Sequence, residues 1–267
     1  MAIYDCFQYF NEDHVIDLRL NILNQYVDYF IISESTKTHQ GESKKLNFDI
    51  KNFSKFKNKI KYVVADFDKD KPLNNHQWGE SLIEQHQRNN VSKGIEDAAE
   101  NDLIILSDSD EIPDLSKLNQ IKKNAKFIAF SQMMFMYKLN LQNLYEKNWI
   151  GSKVCLKKNF PKPQELRNMK FKKYPFWRFD KKNIQIINGG WHFSFLQSPK
   201  DIANKIKSYS HGEFNTDEIV NEDMIKKKIL QNKDIFNRDI ELKKIEIDEN
   251  YPLFIQNNKQ NLSEWIL

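Results

Sequence analysis

Cysteine is nearly absent from this sequence: 267 residues hold only Cys6 and Cys155. Each stands alone in an apolar or mixed stretch, so neither a disulfide framework nor a zinc knuckle can be built from them, and both read as buried thiols. Glycine is scarce as well, with seven in all, and neither a P-loop nor a Gly-x-Gly-x-x-Gly fingerprint can be traced. No apolar run reaches the ~18–20 residues that cross a bilayer, and the first ten residues lack the charged start and long apolar stretch of a secretory signal. A cytoplasmic location is the expectation, which still allows peripheral association with a membrane. A strong excess of one charge is missing too: 41 Lys and Arg face 37 Asp and Glu, for a net charge of +4 spread along the chain. With no aromatic RNA-binding signature and no Cys/His finger spacing, nucleic acid is not an expected partner.

What the chain does have is apolar bulk. Forty per cent of its residues are hydrophobic, including 19 Phe, 10 Tyr and 5 Trp, enough to offset the entropy of ordering and to exclude a disordered chain. One domain over 1–267 is expected, with a nucleotide-binding half at 1–113 and an acceptor-side half with a C-terminal wrap at 114–267.

Apolar periodicity supplies the elements. Residues 3–7 read as a strand, and Asn11 to Asp13 cap a helix whose Val15, Leu18, Ile22 and Leu23 fall near one face. Residues 26–33 and 103–107 are dense enough in apolar side chains to be strands covered on both faces. Another strand is read at 60–65, and a helix, broken near 92–94, at 78–99. After Asp114 the rhythm changes: 126–139, 149–156 and 177–187 read as strands joined by turns, followed by helices at 198–208 and 217–231. The fold class implied is α/β, a mostly parallel central sheet flanked by helices with a C-terminal antiparallel and helical elaboration. Ligands of such sheets collect outside the carboxyl ends of the strands.

The sharpest feature lies at one of those ends. Leu103-Ile104-Ile105-Leu106 runs into Ser107-Asp108-Ser109-Asp110-Glu111-Ile112-Pro113. In an extended segment residues i and i+2 point the same way, which brings Asp108 and Asp110 to one side and sends Ser109 elsewhere. Bare carboxylates would repel an anionic diphosphate, since two unit charges 4 Å apart interact by about 4 kcal/mol at an effective dielectric near 20. A divalent magnesium or manganese ion reverses the sign by bridging carboxylate and phosphate. The same acids could instead cap a helix beginning near Pro113. An EF-hand loop is excluded because Pro113 occupies its glycine position, and a haloacid-dehalogenase-like phosphatase is a poor match. Two broader alternatives stay open: a metal-dependent phosphohydrolase or nucleotidyltransferase, and a carbohydrate-binding module holding structural calcium.

Six ordered segments carry a more specific signal: Asp5-Cys6-Phe7 with Asn11-Glu12; Leu18-Arg19-Leu20; Val27-Asp28-Tyr29-Phe30 followed by Glu34; Gln87-Arg88-Asn89; Ser107 through Pro113; and Gly190-Trp191-His192-Phe193-Ser194. Together they resemble glycosyltransferase family 17, the family of the animal enzyme that adds bisecting N-acetylglucosamine to N-glycans. The resemblance implies a GT-A-like fold, a UDP-sugar donor, Mn2+ or Mg2+ at Asp108 and Asp110, and inversion at the anomeric carbon. N-acetylglucosamine is the expected sugar by analogy. The membrane anchor and lumenal stem of the animal relatives are not seen, so the family's chemistry is carried over without its N-glycan acceptor, and the expected acceptor is a glycan or glycoconjugate hydroxyl.

Individual residues follow. Arg88 is a candidate for the donor diphosphate, with Asn89 beside it, because a guanidinium pairs bidentately with phosphate oxygens. Glu34, past its strand, is a candidate for ribose or uracil. His192, after Gly189-Gly190, is a candidate for the metal or the diphosphate, as the resemblance implies, and His211 is a second. Trp177, Trp191 and Phe193 could stack on a sugar face, with burial in the core as the alternative. An inverting transfer also needs a carboxylate base; Glu213, Glu111 and Asp223 are the candidates, Glu213 first.

Overall fold

The computed structural model describes residues 1–67, 76–77, 80–172, 177, 183–208 and 219–267. The chain opens with β1 (Ile3–Tyr9), α1 (Asp13–Leu23), β2 (Tyr29–Ser35) and β3 (Ile60–Ala65). It continues through α2 (Leu82–Asn90), β4 (Leu103–Ser107), β5 (Glu111–Pro113), β6 (Phe127–Met136), β7 (Leu141–Asn143) and β8 (Asn148–Leu156). The remainder comprises α3 (Pro163–Asn168), β9 (Ile184–Ser194), α4 (Pro199–Ser208), α5 (Glu222–Leu230), β10 (Leu242–Lys244) and α6 (Leu253–Asn257).

These ten strands form one sheet, ordered β10-β7-β6-β8-β4-β1-β2-β3, with β9 joined to β6 and β5 joined to β9, and among the described residues His76–Gln77 and Glu80–Ser81 pair as a separate two-stranded sheet. Strands β4, β1, β2 and β3 run parallel, as does β9 beside β6. Strand β8 is antiparallel to both β4 and β6, and β7 and β10 extend that antiparallel region. This is the α/β class that the sequence leads one to expect, parallel through the first half of the chain and mostly antiparallel in the elaboration that follows.

Strand β4 explains the absence of alternation in its sequence. Leu103 and Ile105 pack in the cluster that holds Ile16, Leu20 and Leu23 of α1, whereas Ile104 and Leu106 pack with Val91 and Ile95 behind the other face. Both pleats meet apolar neighbours, so every position must be apolar. Cys6 and Cys155 lie in the second cluster as buried thiols, as expected.

The element boundaries differ from the sequence reading in several places, four of which have a visible cause. Strand β2 begins at Tyr29 rather than at 26, because the N–H groups of Tyr26 and Val27 both close the last turn of α1 on the carbonyl of Leu23. Helix α2 covers only Leu82–Asn90, and Val91–Ile95 continues as a tighter 3-10 turn. Helix α5 starts at Glu222, where Asn221 accepts the N–H of Met224 at 3.0 Å as its cap. Strand β9 runs through Gly190-Trp191-His192 instead of ending at 187. Gly190 permits this with φ +113°, and a β-carbon there would lie 2.5 Å from the Ile112 carbonyl oxygen. Only glycine lets β9 approach β5 so closely.

Candidate active site

Sheet topology brings the site together. Strands β1 and β4 are parallel neighbours, so their carboxyl ends open on the same edge, and β9 then lays His192 opposite Glu111 in register with β5. The Phe193 N–H donates to the Asp110 carbonyl at 2.9 Å, which continues that ladder across the acidic turn. The result is a cleft of about 360 Å³, lined in part by Asp108, Ser109, Asp110, Trp149, Arg167 and His192. Asp108 and Asp110 do share one side, but not through an extended chain. The Glu111 N–H closes a turn on the Asp108 carbonyl at 3.1 Å, and Ser109 faces the cleft as well. Nor do these acids cap a helix: the cap of the following 3-10 segment is Asp114, which accepts the Ser116 N–H.

That turn is held from beneath by a residue the sequence reading used only as part of a motif. Arg19 of α1 donates through Nε and Nη2 to the two oxygens of Asp5 on β1, at 2.7 and 2.6 Å. Its Nη1 is shared among the carbonyls of Asp108, Ser109 and Glu111. Neither the Arg19 nor the Asp5 side chain is exposed at all. A planar guanidinium can serve a carboxylate and a curl of carbonyls at once, which a lysine could not. Arg19 lies three residues after Ile16 and four before Leu23, on the buried face of α1. A charged residue at core spacing demands an acid partner, and that was the available signal.

Above the turn the charges are mixed. Arg167 of α3 donates to Asp108 Oδ2 at 2.8 Å, and Arg88 reaches Asp108 Oδ1 at 3.4 Å. Burial alone would raise the Asp108 carboxyl, but the charges of Arg167, Arg88 and His192 outweigh it and hold the group well below the usual carboxylate range. Asp110 follows the same logic: burial opposes its charge, and His192, with Nε2 3.5 Å from Oδ1, more than compensates. His192 is correspondingly raised, burial being outweighed by Asp110, Glu111 and Asp108, while its Nδ1 is buried without a partner. Glu111 goes the other way, because burial dominates despite Arg167.

Several candidates lie elsewhere. Glu34 is fully buried, and its carboxylate accepts Lys44, the N–H groups of Asn47 and Phe48, and the Tyr62 hydroxyl. It staples the 36–48 loop and has no oxygen left for a nucleotide. Arg88 does not line the cleft: Gln164, Glu84 and Asp108 take its guanidinium. Its Nη groups are thus spent on protein oxygens, one of them of Asp108, while its Nε is buried without a partner among the described residues. Asn89 accepts the Gln164 N–H at 3.0 Å and so docks α3 on α2. Glu111 is 1% exposed, outside the cleft lining, and accepts the Trp149 indole at 2.6 Å and the Asp108 N–H at 3.2 Å, which removes it as a base. Asp223 sits exposed in the first turn of α5, where a carboxylate favours the helix N-terminus, and is not part of the cleft. Glu213 and His211 lie outside the described residues. Trp191 and Phe193 are core residues, whereas Trp177 is 60% exposed.

Sequence comparison decides the family. The model of glycosyltransferase family 17 matches residues 1–241, which include every element of the cleft. The chain belongs to glycosyltransferase family 17. It is thus a glycosyltransferase, and all six motif segments lie within the matched residues. No curated protein matches the chain. Among solved structures, HddC from Yersinia pseudotuberculosis complexed with GMP-PN is 13% identical, with 72% of this chain and 89% of that one covered at a TM-score of 0.33. A putative glucose-1-phosphate thymidylyltransferase from Bacillus anthracis in complex with a sucrose is 11% identical, covering 71% and 88% at 0.37. A glycosyltransferase involved in the glycosylation of the major capsid of PBCV-1 is 12% identical, covering 70% and 81% at 0.31. Likenesses this distant add nothing to the family assignment. No described helix of this family 17 chain is long and apolar enough to cross a membrane.

Proposed function

We propose that this glycosyltransferase moves a sugar, N-acetylglucosamine by family analogy, from a UDP-sugar to a glycan or glycoconjugate hydroxyl with inversion, using a magnesium or manganese ion held by Asp108 and Asp110. The observation that supports this best is the convergence of those two carboxylates with Arg167 on one cleft at the carboxyl edge of the sheet. Among the described residues no three His, Cys, Asp or Glu side chains are grouped to hold a metal ion. The protein would therefore supply the two aspartates, and donor and water oxygens the rest of the shell, an arrangement typical of magnesium. On donor chemistry the residues fit a hard divalent ion.

When bound, such an ion neutralises charge developing on the departing diphosphate. The chain's own residues prepare the same end. Arg167 brings a permanent positive charge to the cleft wall, raised further in basicity chiefly by Asp108. Arg19 fixes the three carbonyls of the acidic turn, so the aspartates need little reorganisation on binding.

Titration calorimetry with UDP tests the proposal. UDP affinity is expected to rise at least about tenfold with manganese, and Asp110→Ala is expected to remove that enhancement. Metal-dependent UDP binding left intact in the variant would overturn the ligand assignment. Product analysis separates transfer from phosphohydrolysis, which would release free phosphate or sugar with no acceptor product.

A further inference from the structure

An inverting transfer needs a carboxylate that is free to take a proton, since one already paired with a cation is less basic and has fewer free lone pairs. Among the described residues the cleft is lined by the carboxylates of Glu12, Glu84, Asp108, Asp110 and Glu146. Four are engaged. Glu12 accepts the N–H groups of Phe10 and Asn11 and pairs with Lys205 at 3.3 Å. Glu84 pairs with Arg88 at 2.6 Å, Asp108 with Arg88 and Arg167, and Asp110 with His192.

Glu146 differs. It is exposed on the connection between β7 and β8, and among the described residues its carboxylate has neither hydrogen bond nor ion pair. Its backbone is nevertheless fixed. The N–H groups of Tyr145 and Glu146 both donate to Oδ1 of the buried Asn143, at 2.9 and 3.0 Å. Glu146 also lines a second cleft of about 440 Å³, which shares Met134 and Arg238 with the first and is bordered by Tyr145, 79% exposed. It therefore stands where the two spaces join. An exposed aromatic ring beside a carboxylate is a common way to seat a sugar.

We propose that Glu146 is the catalytic base, taking its proton from an acceptor hydroxyl that enters through the second cleft. This rests on the UDP-sugar reading above. In the step, the acceptor oxygen forms a bond to the anomeric carbon as the bond from that carbon to the diphosphate oxygen breaks. The breaking bond's electron pair stays on the diphosphate, and the hydroxyl proton passes to a Glu146 oxygen. Nothing is oxidised or reduced.

The experiment uses the full chain with manganese and UDP-N-acetylglucosamine, UDP-glucose or UDP-galactose, water serving as acceptor. Glu146→Gln is expected to slow donor hydrolysis by about 100-fold. Azide is a nucleophile with no proton to lose, so it should restore turnover in the variant and yield a glycosyl azide of inverted configuration. Hydrolysis within about threefold of the unmodified chain, or slow hydrolysis that azide does not raise, overturns the assignment. If the unmodified chain neither binds UDP nor consumes any of the three donors, the donor reading falls and takes this inference with it. Normal donor consumption with an unaffected variant sinks the inference alone.

Discussion

Two sets of acids lie on neighbouring strands of the sheet, and their settings are opposite. Asp5 on β1 and Glu34 on β2 are wholly dry, their oxygens taken by Arg19 in one case and by Lys44, Tyr62 and two backbone N–H groups in the other. Asp108 and Asp110, just past β4, keep 32% and 17% of their side-chain surface open to the cleft. Placement near the end of a parallel strand, which Glu34 has, therefore does not by itself leave a carboxylate open. What matters is whether the fold has already exhausted its acceptor capacity. The dry acids hold loops and turns in place, whereas Asp108 and Asp110, though paired with Arg88, Arg167 and His192, keep surface on the cleft.

The comparison can be broken most forcefully at Arg19. Arg19→Met leaves Asp5 charged and buried without its partner, so urea denaturation should show a loss of about 3–5 kcal/mol. A variant of native stability would mean that the pair does not support the fold. Asp110→Asn should do the reverse, lowering sugar transfer by about 100-fold while denaturation shows a loss of only about 1 kcal/mol, the part that pairing with His192 contributes. A large stability loss there would erase the distinction between the two sets. Glu34→Gln keeps the shape but weakens the charge-assisted bonds to Lys44 and the 47–48 backbone. A loss of about 1–3 kcal/mol is expected, with UDP affinity by calorimetry unchanged; weakened UDP binding would return Glu34 to the donor site.

The smallest effect sharpens the same contrast with a base. Lys153 on β8 donates to the carbonyls of Arg167 and Met169 at the end of α3, and burial, with Arg167 adding to it, lowers its pKa to about 8. Its folded value lies below the unfolded one, so the unfolded chain holds more protons between them. Stability contributed by this residue therefore rises as pH climbs from about 8 towards the ordinary lysine value near 10.4. Melting temperatures of the parent minus Lys153→Met should increase by a few degrees, ~2–4 °C, over that interval. A flat difference would show that Lys153 is not desolvated in solution.

Much of the frame was legible because local pattern and burial coincide. β4 falls on the expected residues, since a strand packed on both faces must be a short unbroken apolar run, and so does β3, although it is a partly exposed edge strand that holds Lys61. The acidic segment was legible for the same reason, as a polar break directly after such a run. Its conformation was not: the turn at 108–111 depends on Arg19 and on the approach of β9, both remote in sequence. Arg167 was missed entirely, because nothing local distinguishes an arginine in a short helix 59 residues away from the aspartate it pairs with. Glu146 was missed for the opposite reason. A free surface glutamate has no sequence signature until the clefts on either side of it are known.

By itself the sequence determined the α/β order of elements, the double-faced burial of β4 and the family, because these follow from periodicity and from residues contiguous along the chain. Tertiary structure alone decided which acids are spent and which are open. That depends on whether a donor from a distant element comes within hydrogen-bonding reach, and such distances are set by the packing of the sheet and helices.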